Sequence, residues 1–135
     1  MSEADVEVIR EVYARFNARD YDGSAALLHD DVELYQASEI PGATVSVGRL
    51  EFQRGIADWL SGFERGFQYE VLDLVDCEPS VFARLMLHGT GRGSGVEINR
   101  EIFNVWEVRD DKAWRCRVYW NEDDARHAAG LADSA

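Results

Sequence analysis

Positive charge is scarce in this chain. Its 14 Lys and Arg stand against 26 Asp and Glu, a formal net charge of −12, and so acidic a surface repels both a phosphate backbone and an anionic membrane. Neither nucleic acid nor a membrane is an expected partner. Long apolar runs are lacking too: no segment approaches the length of a membrane span, and the opening MSEADVEVIR has neither the basic nor the apolar region of a signal peptide. A cytoplasmic location is expected. Cysteine is confined to Cys77 and Cys116, inside apparent strands and at no metal-like spacing, so both read as reduced, small apolar residues. His29, His88 and His127 fall on separate elements, and no metal site is expected. Repeats, low-complexity tracts and linkers are missing. What remains is 135 residues, 46% apolar and 11% aromatic, enough for a single domain over 1–135 with a sizeable core.

The most informative stretch, residues 96–120, reads VEINREIFNVWEVRDDKAWRCRVYW and predicts one long β-hairpin. A two-residue turn at Asp110-Asp111 pairs Arg109 with Lys112, and alternation then sets every other pair. On one face Glu107 meets Trp114, Val105 meets Cys116, Phe103 meets Val118 and Glu101 meets Trp120. The other face carries Trp106 with Arg115, Asn104 with Arg117, and Ile102 with Tyr119. The first face is apolar apart from Glu107 and Glu101. Glu101 thus becomes a carboxylate directed into a core or pocket, and the leading candidate for chemistry.

Elsewhere the periodicity predicts helices over about residues 4–18, with Val6, Ile9, Tyr13 and Phe16 on one stripe, and over 21–29, stopped by Asp30-Asp31. A short strand over 32–36 places Val32, Leu34 and Gln36 on one face and Glu33 and Tyr35 on the other. Residues 37–48, with Pro41, Gly42 and Gly48, read as a loop over the rim of a cavity. A third helix follows, with Phe52, Ile56, Trp59, Leu60 and Phe63 on its stripe. Residues 67–77 and 81–88 form a second hairpin around Glu78-Pro79-Ser80. The glycines of 89–95 lack the Lys-Ser/Thr and strand-to-helix step of a phosphate loop, and read as a flexible turn. Asn121 caps a last short helix whose charges suit its dipole and which stops at Gly130. Helices first and long antiparallel strands after make this α+β, a strongly curved sheet wrapped as a cone around three helices, with a pocket wherever side chains leave the cone unfilled.

Several of these features resemble one family. The run Leu28-His29-Asp30-Asp31-Val32, the Gly48-Arg49 entry into the third helix, GRGSGVE at 91–97 and the closing VYWNEDDARHAAGL look like the SnoaL-like branch of the nuclear transport factor two superfamily, whose cystatin-like cone also serves ketosteroid isomerase, polyketide cyclases and limonene epoxide hydrolase. The resemblance spans essentially the whole chain and is specific for fold rather than for function. Against ketosteroid isomerase it puts Tyr13 at the tyrosine that donates to the substrate oxygen and Glu101 at the protonated acid. Cys116 and Trp120 fall on the pocket face, and Gln36 stands where the general base belongs. Gln36 cannot accept a proton at neutral pH, and Arg100, the arginine an epoxide hydrolase site would use, is expected to point outward.

Two functions follow. One is a cofactor-independent acid/base enzyme of the isomerase, cyclase or dehydratase type, acting on a small apolar carbonyl compound. Tyr13 and Glu101 are then its catalytic residues, and Gln36, Trp59, Phe63, Phe103, Cys116, Val118 and Trp120 line its pocket. The other is a non-catalytic binding or dimerisation module of the same fold. No cofactor or metal is expected in either. The outward face, with Ile102, Trp106, Arg115, Arg117 and Tyr119, is too aromatic for plain solvent, and with the family's habit of pairing implies a homodimer through it.

Overall fold

The computed structural model describes residues 2–36 and 45–131. The first helix, α1 (Ser2–Asn17), buries Ile9, Tyr13 and Phe16 of the expected stripe together with Val12, while Val6 at its start is half-buried. Next comes α2 (Tyr21–Ala25), capped by Asp20, whose side chain accepts from the Gly23 N–H at 2.9 Å. It is shorter than the spacing suggests, because β1 (Leu28–Gln36) takes over residues 28 and 29. Leu28 pairs with Ala113, and the Ala113 N–H donates to the Leu27 carbonyl at 2.9 Å, so tertiary strand pairing overrides local helical spacing. Val32 and Leu34 are buried, as their parity requires.

Beyond β2 (Val45–Val47), α3 (Arg49–Ser61) starts at Gly48, which holds φ at +99°, a conformation that favours glycine. The rim expected over 37–44 lies outside the described residues. Four long strands follow, β3 (Phe63–Cys77), β4 (Ser80–Gly91), β5 (Glu97–Arg109) and β6 (Lys112–Tyr119), and then α4 (Glu122–Ala128). Asn121 caps α4 by accepting from the Asp124 N–H. The six-stranded sheet has the order β2-β1-β6-β5-β4-β3, antiparallel except where β1 runs parallel to β6. The fold is α+β, a curved, unclosed sheet with α1, α2 and α3 over its concave face.

The central hairpin turns where expected, with Asp110 and Asp111 both at positive φ and Arg109 opposite Lys112. Its register does not continue as expected. Val108 faces Ala113, but Glu107 faces Arg115, so Trp114 is an extra residue in β6, a β-bulge. Because side chains alternate, that one residue exchanges the faces of everything beyond it on one strand relative to the other. Ile102, Asn104 and Trp106 now share the concave side with Cys116 and Val118. Glu101, Phe103, Val105 and Glu107 share the convex side with Arg115, Arg117 and Tyr119.

Charge and apolar burial both favour the bulged arrangement. Arg115 binds Glu107 at 3.2 Å and Glu33 at 3.1 Å across neighbouring strands, and Trp114 is clasped between the guanidinium groups of Arg109 and Arg115, 3.6 and 4.1 Å from its ring. An unbulged pairing would instead seat Arg115 and Arg117 beside Ile102 and Trp106 in the core. On the convex side, Phe103 and Val105 pack with Phe82 beneath Ala125 and Ala129 of the α4 region. Glu101 lies on this side, 2.6 Å from Arg84, with 39% of its side chain exposed.

The face assignment makes a stability prediction. Ile102→Glu, which forces an unpaired carboxylate into the concave core, should cost at least about 3 kcal/mol in urea unfolding. Glu101→Gln, which breaks only a half-exposed ion pair, should cost about 1 kcal/mol or less. Comparable losses would place both side chains in one environment and contradict the bulge.

Candidate functional site

Inside the cone, α1, β1, α3, β3, β5 and β6 enclose a cavity of about 70 Å³. Helix α1 supplies Val12, Tyr13 and Phe16, while β5 supplies Ile102, Asn104 and Trp106 from the face that the bulge turns inward. Tyr69 of β3 and Cys116 and Val118 of β6 complete the floor, and Phe52, Ile56 and Trp59 of α3 form the cover. Phe52 is the buried residue of α3, so this cover is more lightly packed than α1 opposite it. A second, apolar groove of about 280 Å³ runs between α2 and α3 and shares Phe16, Ser24, Leu28, Phe52 and Ile56 with the cavity wall.

The polar centre of the cavity is the Tyr13 hydroxyl. Its oxygen accepts from Trp106 Nε1 and from Asn104 Nδ2, each at 2.7 Å. Tyr13 is 3% exposed and Asn104 5%, and Asn104 Oδ1 has no partner among the described residues. Edge contacts to Trp106 and Tyr69 fix the Tyr13 ring. Its helix is tied to β3 through Asn17, one turn further on, whose amide donates to the Tyr69 carbonyl and accepts from the Tyr69 N–H.

Burial pushes the Tyr13 phenol well above its ordinary value, and the nearby Cys116 adds to this against the pull of its two donors. Burial likewise raises Tyr69 and Cys116. Among the described residues no Asp, Glu, His, Lys or Arg lines the cavity. The site is thus uncharged at neutral pH, apolar on most of its wall, and able to hold one oxygen atom by the Tyr13 proton.

The structure gathers Tyr13, Gln36, Trp59, Cys116 and Val118 around this cavity, as the sequence suggests. It does not bring Glu101 there: the bulge turns that acid to the convex face, against Arg84. Phe103 is turned the same way and packs with Phe82 at a centroid distance of 6.2 Å. Phe63 begins β3 rather than ending α3, and packs on Phe67 instead of the cavity. Trp120 keeps the concave side but stands behind the wall, stacked on Trp59 at 6.5 Å with the Arg100 guanidinium 4.2 Å over its ring. Ile102 and Trp106, expected on the outer face, are cavity residues. Asn104 was expected outward for the same reason. The signal that could have found it is the match of Glu107 to Arg115, a charge pair that only a bulge makes possible.

Likeness to known proteins agrees with this geometry. A family model described as the SnoaL-like domain matches residues 9–116. The chain belongs to the SnoaL-like domain family. No curated protein matches it. Among solved structures, TerC co-crystallised with polyporic acid superposes with a TM-score of 0.77 at 18% identity, over 94% of this chain and 98% of that one. A structure from Mesorhizobium loti described as that of a proposed SnoaL-like polyketide cyclase gives 0.65 at 22%, over 84% and 97%. A cystatin-like protein of unknown function from Xanthomonas campestris gives 0.76 at 12%, over 94% and 98%. At these identities the likeness is one of fold, the nuclear transport factor two-like cone shared with ketosteroid isomerase-like proteins.

The buried phenols and thiol give this SnoaL-like domain a defined alkaline limit. Each folded value lies above the unfolded one, so the stability they lend is complete below the ordinary thiol value of 9.0 and is lost as pH climbs past it. Urea unfolding at stepped pH should show a decline starting near that value, of up to about 1.4 kcal/mol per pH unit per group. Partial burial raises the Cys77 thiol as well, so Cys116→Ala should lessen the slope between 9.0 and the ordinary tyrosine value of 10.0 rather than abolish it. An unchanged slope there would remove the Cys116 thiol from this account.

Proposed function

We propose that this protein binds a small, uncharged, largely apolar carbonyl compound in the cone, with the carbonyl oxygen at the Tyr13 hydroxyl. One observation carries the reading. The Tyr13 oxygen has both lone pairs engaged, by Trp106 and Asn104, so its remaining capacity is to donate a proton into an apolar chamber. The absence of ionised residues from the described wall favours a neutral ligand, since a charged one would be desolvated there without a partner. TerC, similar in fold, was co-crystallised with an organic small molecule, polyporic acid.

A catalytic reading is favoured by the same hydroxyl. A phenol polarised by two donors suits a developing oxyanion, as an isomerase, cyclase or dehydratase requires. Tyr13 is its catalytic residue. Glu101 lies on the other side of the sheet and Gln36 is an amide, so the second proton carrier is the substrate itself or a group beyond the described wall. Homodimer formation through the convex face, with Arg115, Arg117 and Tyr119, belongs to either reading. Glu33 and Glu107 beside those arginines give the face both signs of charge.

Titration with 2-butanone should shift the Trp106 indole N–H resonance, and Tyr13→Phe should weaken that binding by about tenfold. An indole signal that stays fixed throughout would end the binding proposal. Sedimentation at micromolar concentration should return twice the monomer mass, and a monomer would end the pairing.

A further inference from the structure

Tyr13 and Asn104 together specify more than a carbonyl. The Asn104 amide donates one Nδ2 hydrogen to Tyr13, which fixes its plane, while its Oδ1 is buried without a partner among the described residues, on a residue that lines the cavity. A buried acceptor left unmatched carries a desolvation penalty that a ligand donor removes. The chamber therefore presents a donor, the Tyr13 hydroxyl, and an acceptor, Asn104 Oδ1, locked side by side by the hydrogen bond between their own residues.

Turning the amide over preserves that complementarity. Tyr13 would then donate to Oδ1, leaving Nδ2 as the free donor and the second Tyr13 lone pair as the free acceptor. In either orientation at least one donor and one acceptor stay free, a property of the three residues Tyr13, Asn104 and Trp106, because the indole N–H can only donate.

Building on the carbonyl-binding reading above, we propose that this end of the cavity recognises a neutral head group with an acceptor and a donor on the same or adjacent carbons, a primary carboxamide or a hydroxy-carbonyl. The acceptor meets one member of the pair and the donor meets the other. Ionic head groups fit poorly. A carboxylate brings only acceptors and finds no cation on the described wall, and an ammonium leaves the Tyr13 donor unanswered.

Four small probes of similar size separate the cases: acetoin and isobutyramide carry both functions, 2-butanone an acceptor alone, and 2,3-butanedione two acceptors. Followed by the Trp106 indole resonance, acetoin, isobutyramide or both should bind the native protein about tenfold more tightly than 2-butanone and 2,3-butanedione. Which of the two is preferred identifies the head group. Asn104→Leu should bring the preferred probe to within about twofold of 2-butanone. Equal affinity for all four probes on the native protein overturns the proposal while leaving carbonyl binding intact. So does a preference that survives Asn104→Leu. If 2-butanone also fails to move the indole signal, the carbonyl-binding reading falls with it. The native-protein panel decides the matter even if the variant does not fold.

Discussion

The arrangement of this protein depends on the clasp that Arg109 and Arg115 close around Trp114. An indole held between two guanidinium groups is satisfied without entering the core, so β6 can carry one residue more than β5 opposite it. The ion pairs of Arg115 with Glu33 and Glu107 then hold the shifted register across β1, β6 and β5. Burial and electrostatics agree here: the shift that frees the arginines for their acids also sends Ile102 and Trp106 inward.

The cavity inherits its chemistry from that shift. Asn104 is a polar residue between two large apolar ones, and on the convex face it would be an ordinary surface amide. Turned inward, it joins the Trp106 indole in donating to the Tyr13 oxygen, while Asn104 Oδ1 stays without a partner among the described residues. Two hydrogen bonds to one buried oxygen hold the placement of α1 against β5 to a narrow range. The Asn17 bonds to Tyr69 fix the same helix a turn away, and make the position of the Tyr13 oxygen a consequence of the sheet rather than of helix packing alone.

Much of this was legible in the sequence. Helical stripes in α1 and α3, the strands of the meander, the two-residue turn at Asp110-Asp111 and the Asn121 cap all follow from local rules of spacing and turn chemistry. So does the inward parity of Leu34 and Gln36, and the place of Tyr13 on the buried stripe. The bulge was not legible from alternation, because a period of two has no memory of an insertion. It could be inferred only by asking which register brings Glu107 to Arg115. One residue of error therefore left the architecture untouched and exchanged Glu101 for Asn104 as the polar residue of the interior. The early end of α2 has a similar origin, since residues 28 and 29 answer to Ala113 across the sheet rather than to their neighbours in the chain.

The outermost strand β3 has β4 on one side only, and a bare edge fifteen residues long would ordinarily invite a stranger's strand. Here that edge is defended. Asn17 occupies the free backbone groups of Tyr69, acids or bases at 64, 65, 70, 73 and 76 are exposed along it, and two irregularities in its pairing keep it from lying flat. Runaway ribbon growth, the usual hazard of open sheets, is disfavoured along this border. A copy of the chain that meets this border must dock broadside rather than extend the ribbon.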